Sequence, residues 1–220
     1  MKTIAVIPAY NEASTLAGVL ESTRGFVDGC VVVDDGSTDR TAEIARAQGA
    51  VVVCHATNRG LGAAIGTGFE KARRLGADVV VTLDADGQHD PSQIPALLAA
   101  IEKGADVVIG SRMLERSGMP WYRVLANTLG NIATLVLFGA WVSDSQSGFR
   151  AFSAYALGQI EIVTNRMEVS SELIAEAKRH RLVLVEVPVK AIYTDYSLSK
   201  GQNALVGLKT LVKLIIRRMT

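Results

Sequence analysis

Apolar residues recur along the first half of the chain in short, nearly unbroken runs at 3–7, 30–33, 51–54, 79–83 and 107–109. β-Branched residues dominate these runs, and a run without polar alternation marks a strand buried on both faces. Between them, at 13–24, 38–48, 61–75 and 91–103, apolar positions fall at helical spacing. Strand and helix in alternation predict an α/β architecture, a mostly parallel sheet with helices on both faces. Local signals agree with this pattern. Asp90-Pro91-Ser92-Gln93 offers an N-cap, a proline at the first helical position and a glutamine able to close a capping box. Gly49, Gly76 and Gly104 each follow a helical stretch, where a left-handed C-cap is wanted.

After Gly110 the rhythm changes. The pattern predicts a long helix over 121–139, strands over 148–153 and 183–192, a helix over 167–180, and a basic helix over 203–219. No linker, composition shift or internal repeat interrupts the chain, so residues 1–220 read as a single domain with an elaborated second half.

Composition narrows the function. The 220 residues are 49% hydrophobic and 20% charged, as in a folded globular domain, and the net charge is +1. So small a surplus argues against a nucleic-acid partner, because neutralising phosphates takes a strongly basic surface. Cys30 and Cys54 sit in apolar runs without metal-ligand spacing, which predicts two buried free thiols in a reducing compartment. Residues 1–7 run straight into Pro8 as a strand rather than a signal peptide, and the apolar window 132–142 falls short of the roughly 20 residues a spanning helix takes. These features predict a cytoplasmic protein, peripheral on the inner face of a membrane where it touches one.

The candidate chemistry lies after the strands, because an open parallel sheet binds its ligands where the carboxyl ends of the strands open. The first strand ends in Pro8-Ala9-Tyr10-Asn11-Glu12, the second in Asp34-Asp35-Gly36-Ser37 and the fourth in Asp84-Ala85-Asp86-Gly87-Gln88; Asn58-Arg59-Gly60-Leu61-Gly62 follows the third. Acids crowded on one edge repel one another unless a cation joins them, and an all-oxygen ligand set points to Mg²⁺ or Mn²⁺. Asp84, Asp86 and Gln88 alternate along an extended segment and can face one way.

In order, Pro-Ala-Tyr-Asn-Glu, Val-Val-Asp-Asp-Gly-Ser-Thr-Asp, Asn-Arg-Gly-Leu-Gly-Ala-Ala, Asp-Ala-Asp-Gly-Gln-His, Gly-Ser-Arg and Gln-Ser-Gly-Phe-Arg span nearly the whole chain. Together they resemble the family-2 glycosyltransferases, above all the dolichol-phosphate mannose synthases and bacterial polyprenyl-phosphate glycosyltransferases. The resemblance implies a GT-A fold and an inverting transfer from a nucleotide-diphosphate sugar to a polyprenyl phosphate. It implies a nucleotide-sugar-binding half over 1–110 and an acceptor-side half over 111–202. Pro8, Tyr10, Glu12 and Asp35 would then hold base and ribose. Asp84, Asp86 and Gln88 would gather the metal and diphosphate, and Arg112 and Arg123 would meet the acceptor phosphate. Asp144 falls in a motif that the resemblance places on the acceptor side.

The acceptor decides whether a base is needed. A phosphate monoester, with its second pKa near 6, is already anionic at neutral pH and needs only positioning by cations such as Arg112 and Arg123. A sugar hydroxyl would need a carboxylate base, for which Glu168 and Glu172, four apart on a helical pattern, are the candidates. The chain departs from the mannose synthase pattern near its end, where arginines are missing before Ser199-Lys200 and Lys200 alone keeps a cation for substrate. That departure leaves the sugar open.

Two segments suggest a surface role. The 203–219 stretch interleaves Leu205, Leu208, Leu211, Val212 and Ile215 with Lys209, Lys213, Arg217 and Arg218, which suits either an anionic lipid interface or packing on the core. The 131–142 stretch is apolar almost all round, as a buried helix, an interfacial helix or the seat of a separate membrane subunit. The main rival is a dinucleotide-dependent oxidoreductase, whose glycine pattern Gly60-Leu61-Gly62 with Gly66 approximates; it follows the third strand and leaves Asp34, Asp35 and Asp86 without a purpose. A sugar-nucleotide pyrophosphorylase would carry a Gly-rich, Arg-containing loop after the first strand, where this chain has Pro8-Ala9-Tyr10. A non-catalytic scaffold would have no need of intact acidic motifs.

Overall fold

A computed structural model describes residues 1–115, 119, 121–190 and 192, with the side chains of 121–123, 133, 137 and 138 set aside. The predicted Lys200, the 203–219 segment and the Arg123 side chain lie outside what is described. Seven strands, β1 (Thr3–Ala9), β2 (Gly29–Asp34), β3 (Val51–Cys54), β4 (Val79–Thr82), β5 (Val107–Ser111), β6 (Arg150–Ser153) and β7 (Leu184–Pro188), form one sheet in the order β3-β2-β1-β4-β6-β5-β7. All pairings are parallel except those of β6, which runs antiparallel to both β4 and β5. Helices α1 (Leu16–Thr23), α2 (Thr41–Ala47), α3 (Leu61–Arg74), α4 (Ile94–Glu102), α5 (Trp121–Phe138), α6 (Ala154–Gln159) and α7 (Val169–Arg179) complete the fold. Every predicted strand and helix within the described residues has its counterpart; the short α6 is the addition.

The unbroken apolar runs behave as two-faced strands. Ala5, Ile7 and Ala9 of β1 enter a core with α1 and α4, through Leu16, Leu20 and Leu97, while Ile4 and Val6 enter a second core with α3 and α7, through Phe69 and Leu173. In the second core Phe69 meets Phe152 edge to face, with centroids 4.9 Å apart. Burying an aromatic of this kind is worth about 3–5 kcal/mol against alanine. The edge strand β3 has one open side, so Val51 and Cys54 are exposed. Cys54 therefore corrects the expectation of two buried thiols. Cys30, between two neighbours in β2, is half-buried, and burial pushes its thiol up to about 11.

The helix ends follow the local signals. Asp90 accepts from the Ser92 N–H at 3.0 Å ahead of a 3-10 turn, and Gly49, Gly76 and Gly104 adopt φ of 75°, 73° and 100°. The strand order matters most for position. The chain moves outward from β1 to β3, then resumes with β4 on the other flank of β1. The carboxyl ends of β1 and β4 therefore border a topological switch point, where such sheets open a crevice. The reversed β6 brings Gly148 and Phe149, just before it, back under the end of β4, where Thr82 donates to the Gly148 carbonyl at 2.7 Å.

Candidate active site

Past β1, Tyr10 is 44% exposed and Asn11 takes a left-handed φ of 55°. That turn is laced to the loop after β2. The Asn11 N–H donates to Ser37 Oγ at 2.9 Å, Thr38 N–H donates to Asn11 Oδ1 at 2.8 Å, and Glu12 N–H donates to Thr41 Oγ1 at 2.9 Å. Pro8 and Glu12 are half-buried at the same edge. The two acids at the carboxyl end of β2 hold nearby loops. Asp34 accepts from Ser37 N–H at 3.0 Å. Asp35, 4% exposed, accepts from Arg59 N–H and Gly60 N–H at 2.9 and 2.7 Å and pairs with His55 Nδ1 at 2.7 Å. A carboxylate has about four acceptor positions, so these three leave little for a nucleoside. Asp35 thus anchors the 55–60 loop.

The N-terminus of α3 is closed as well. Gly62 N–H donates to the Asn165 carbonyl at 2.9 Å, and a side chain at Gly62 would run into the Thr164 carbonyl. A dinucleotide pyrophosphate needs that helix end open, and here backbone carbonyls fill it. The glycine pattern at 60–66 is a packing device, which removes the oxidoreductase reading.

The acid pair after β4 is held differently. Both carboxylate oxygens of Asp84 rest against Gly148, where a Cβ would come within 2.7 Å of each. The side chain is 41% exposed to the crevice yet ringed by protein. That enclosure raises the Asp84 pKa above the ordinary carboxylate range, opposed by Arg112 and Arg150 and reinforced by Glu12. Asp86 is also raised, first by burial and then by the charge of Asp84. Gln88 folds back over it, its backbone N–H donating to Asp86 Oδ1 at 2.9 Å and its side-chain amide donating to Asp86 Oδ2. Gln88 thus orients Asp86. Among the described residues no three His, Cys, Asp or Glu side chains converge as a metal cage.

His89 escaped the sequence reading. Its Nδ1 accepts from Asp84 N–H at 3.1 Å, so the ring proton resides on Nε2, which lies 3.7 Å from Asp84 Oδ2. The ring is buried and stacks on Phe149 at 5.2 Å. Burial, and then Arg112, draw its pKa down to about 4, which keeps the ring neutral beside Asp84. The motif Asp-Gly-Gln-His was visible, but the partner ring of Phe149 is 60 residues away in the chain.

On the other flank, Arg112 grips Asp144 through Nε and an Nη, both at 2.8 Å, and its own N–H donates to the same carboxylate at 3.0 Å. Asp144 is fully buried, and Arg112 is 16% exposed. This is a built-in fork and not a loose surface pair. Glu186 of β7, also missed, steadies it from below, accepting from Ser143 N–H at 2.9 Å, Ser143 Oγ at 2.7 Å and Asp144 N–H at 3.3 Å. Arg150, 3% exposed, donates to the Ser145 and Ser170 carbonyls at 2.8 and 3.2 Å, and its Nε is buried without a hydrogen-bond partner among the described residues. Burial brings its pKa down to about 10, against the pull of Asp144 and Asp84, so it stays charged at neutral pH.

The helical acids are elsewhere engaged. Glu168 and Glu172 are both 8% exposed, so neither is a solvated surface acid. Glu172 accepts from Val163 N–H at 3.1 Å, Thr164 N–H at 2.9 Å and the Thr164 hydroxyl. Its carboxylate pins the 163–164 turn, next to the Asn165 carbonyl that caps α3. A depression of about 370 Å³ lined by Met1, Phe26 and Glu102 sits at the amino end of β1 and includes none of the acids, arginines or His89 described above.

Comparison with known proteins agrees with this fold. The profile of the family described as Glycosyl transferase family 2 matches residues 4–160. A UDP-N-acetylglucosamine–dolichyl-phosphate N-acetylglucosaminyltransferase of Methanococcus voltae is 36% identical over 97% of this chain and 95% of that protein. An undecaprenyl-phosphate mannosyltransferase of Micrococcus luteus is 33% identical over 94% of this chain and 90% of its own length. Among solved structures, glucosyl-3-phosphoglycerate synthase from Mycobacterium tuberculosis, bound to Mn²⁺, UDP-glucose and phosphoglyceric acid, superposes with a TM-score of 0.76. It covers 99% of this chain and 79% of that one at 22% identity, a likeness of fold.

Proposed function

Because the chain belongs to glycosyl transferase family 2 and is a glycosyltransferase of GT-A fold, we propose that it moves a sugar from a nucleotide diphosphate to a polyprenyl phosphate, with inversion at the sugar carbon. The observation that carries this reading is the meeting, beside the switch point, of an acid pair with raised pKa and the Asp144-locked Arg112. Such a site suits two phosphorylated partners, one through a cation and one through a guanidinium. Relatives named for transfer to dolichyl and undecaprenyl phosphates, matched over nearly their whole length, support the acceptor class.

Asp84 and Asp86 fit a hard divalent ion. Burial raises the pKa of each, and the charge of Asp84 raises that of Asp86 further, so a bound cation would relieve both penalties. Mg²⁺ and Mn²⁺ take one or two carboxylates and complete their shells with phosphate oxygens and water. When bound, the ion would supply charge stabilisation to the departing diphosphate. The remaining work falls to this chain. Gly148 and His89 fix Asp84, Gln88 fixes Asp86, and Arg112, with its plane set by Asp144, orients an acceptor phosphate that is already anionic. With Glu172 committed to Thr164, the phosphate acceptor agrees better with the site than a hydroxyl that needs a base. Pro8, Tyr10 and Glu12 remain as our proposed walls for the nucleoside.

The test is a panel of nucleotide sugars with purified protein, Mg²⁺ or Mn²⁺, and a short-chain polyprenyl phosphate. Labelled lipid product from one donor supports the proposal. Transfer to sugar hydroxyls, with none to any polyprenyl phosphate, overturns it.

A further inference from the structure

The ladder between β5 and β7 stops at a defined place. Ser111 pairs with Pro188, and Val189 N–H still donates to the Ser111 carbonyl at 3.1 Å. The next N–H of the β5 chain, that of Arg112, goes instead to Asp144 Oδ2. The backbone of Lys190 therefore finds its partners outside the sheet. Gln93, 97 residues away in the chain, supplies both. Lys190 N–H donates to Gln93 Oε1 at 2.7 Å, and Gln93 Nε2 donates to the Lys190 carbonyl at 3.2 Å. A side-chain carboxamide carries the donor and acceptor of a peptide group, so Gln93 stands in for a missing strand. Its position suggested a capping box, but its side chain reaches across to Lys190 instead, and the cap itself comes from Asp90.

Two residues on, Ile192 N–H donates to the Gln88 carbonyl at 2.8 Å. Val189, Lys190 and Ile192 thus act as a strap from the end of β5, next to Arg112, to the loop of the acid pair. Gln88 is where the strap meets the chemistry. Its backbone N–H and side-chain amide hold Asp86, while its carbonyl is held by Ile192. A shift of the strap is passed to the Asp86 carboxylate through this one residue.

We propose that Gln93 is a positioning residue for metal binding. By fixing the backbone of Lys190 it brings Ile192 N–H to Gln88, and Gln88 sets Asp86. This rests on the reading of Asp84 and Asp86 as the seat of a divalent ion, and not on the identity of the acceptor.

The experiment titrates the full chain with Mn²⁺ alone, following free Mn²⁺ by electron paramagnetic resonance, with metal-free thermal unfolding alongside. Gln93→Ala and Ile192→Pro are each expected to weaken Mn²⁺ binding about fivefold, the equilibrium worth of one ordinary hydrogen bond. Both should melt within a few degrees of wild type. The double variant should bind as either single one does, because both substitutions cut the same link. Lys190→Ala should bind as wild type does, since the strap uses only the backbone of that residue. Native affinity in both single variants overturns the proposal, and so does multiplied loss in the double variant. An equal loss in Lys190→Ala overturns it too, by tracing the effect to the lysine charge. Wild type that binds no Mn²⁺ sinks the metal reading along with the strap. The expected affinities in a chain that transfers to no polyprenyl phosphate sink the acceptor reading and leave the strap standing.

Discussion

Replacing Gly148 with alanine tests the placement of the acid pair without touching either acid. The new Cβ would stand 2.7 Å from both oxygens of Asp84 and 3.0 Å from its carboxyl carbon. Ordinary contact begins near 3.4 Å, so the carboxylate has to retreat by about 0.7 Å. Gly148 does not occupy the left-handed region, so alanine adds crowding and no backbone strain there. The Asp84 side chain opens onto the crevice, which lets it swing away at a stability cost of about 1 kcal/mol, the low end for overpacking. A displacement approaching 1 Å at a reacting centre costs up to about 100-fold in rate, so kcat/KM should fall by roughly 10- to 100-fold, or about 1.4–2.7 kcal/mol. The assay is initial-rate transfer over a series of Mn²⁺ concentrations, paired with thermal unfolding. The expected result is a raised metal requirement and a lowered rate in a protein that melts within a few degrees of wild type. Native rates at native metal concentrations would refute the argument that Gly148 seats Asp84.

Three further outcomes follow from the same geometry. Asp86→Ala should abolish lipid product, and Mn²⁺ should raise the melting temperature of wild type, by about 2.7 kcal/mol of stability at a hundredfold excess over Kd, without moving the variant; a matching shift in the variant would place the ion elsewhere. Arg112→Lys keeps the charge but loses the fork on buried Asp144, so kcat/KM for the acceptor should drop by roughly tenfold while donor KM holds, and an equal loss for both substrates would separate Arg112 from the acceptor. Glu172→Gln should lower stability by about 1–3 kcal/mol through the 163–164 turn with kcat nearly unchanged; a collapsed kcat at an unchanged melting temperature would restore Glu172 as a base.

Sequence alone determined the features that are local in the chain. Apolar runs at 3–7 and 79–83 became two-faced strands because each residue's burial is dictated by period, and Gly49, Gly76 and Gly104 ended helices because only their backbone accepts the turn. The order of motifs at the strand ends was likewise legible, since a parallel sheet gathers those ends on one edge. Only the tertiary structure decided what each polar group does there. Asp35 and Asp84 look alike as strand-end acids, yet one is anchored by the backbone of 59–60 and the other rests against Gly148. Glu172 reads as a base until Thr164 is found on it, and His89 and Glu186 acquire meaning only beside Phe149 and Ser143. The apolar stretch of α5 was plain in the sequence, but its direction was not. Packing turned Asn131 and Thr134 inward because the 143–145 loop and Ser171 needed their hydrogen bonds, and that choice left the aliphatic stripe facing out.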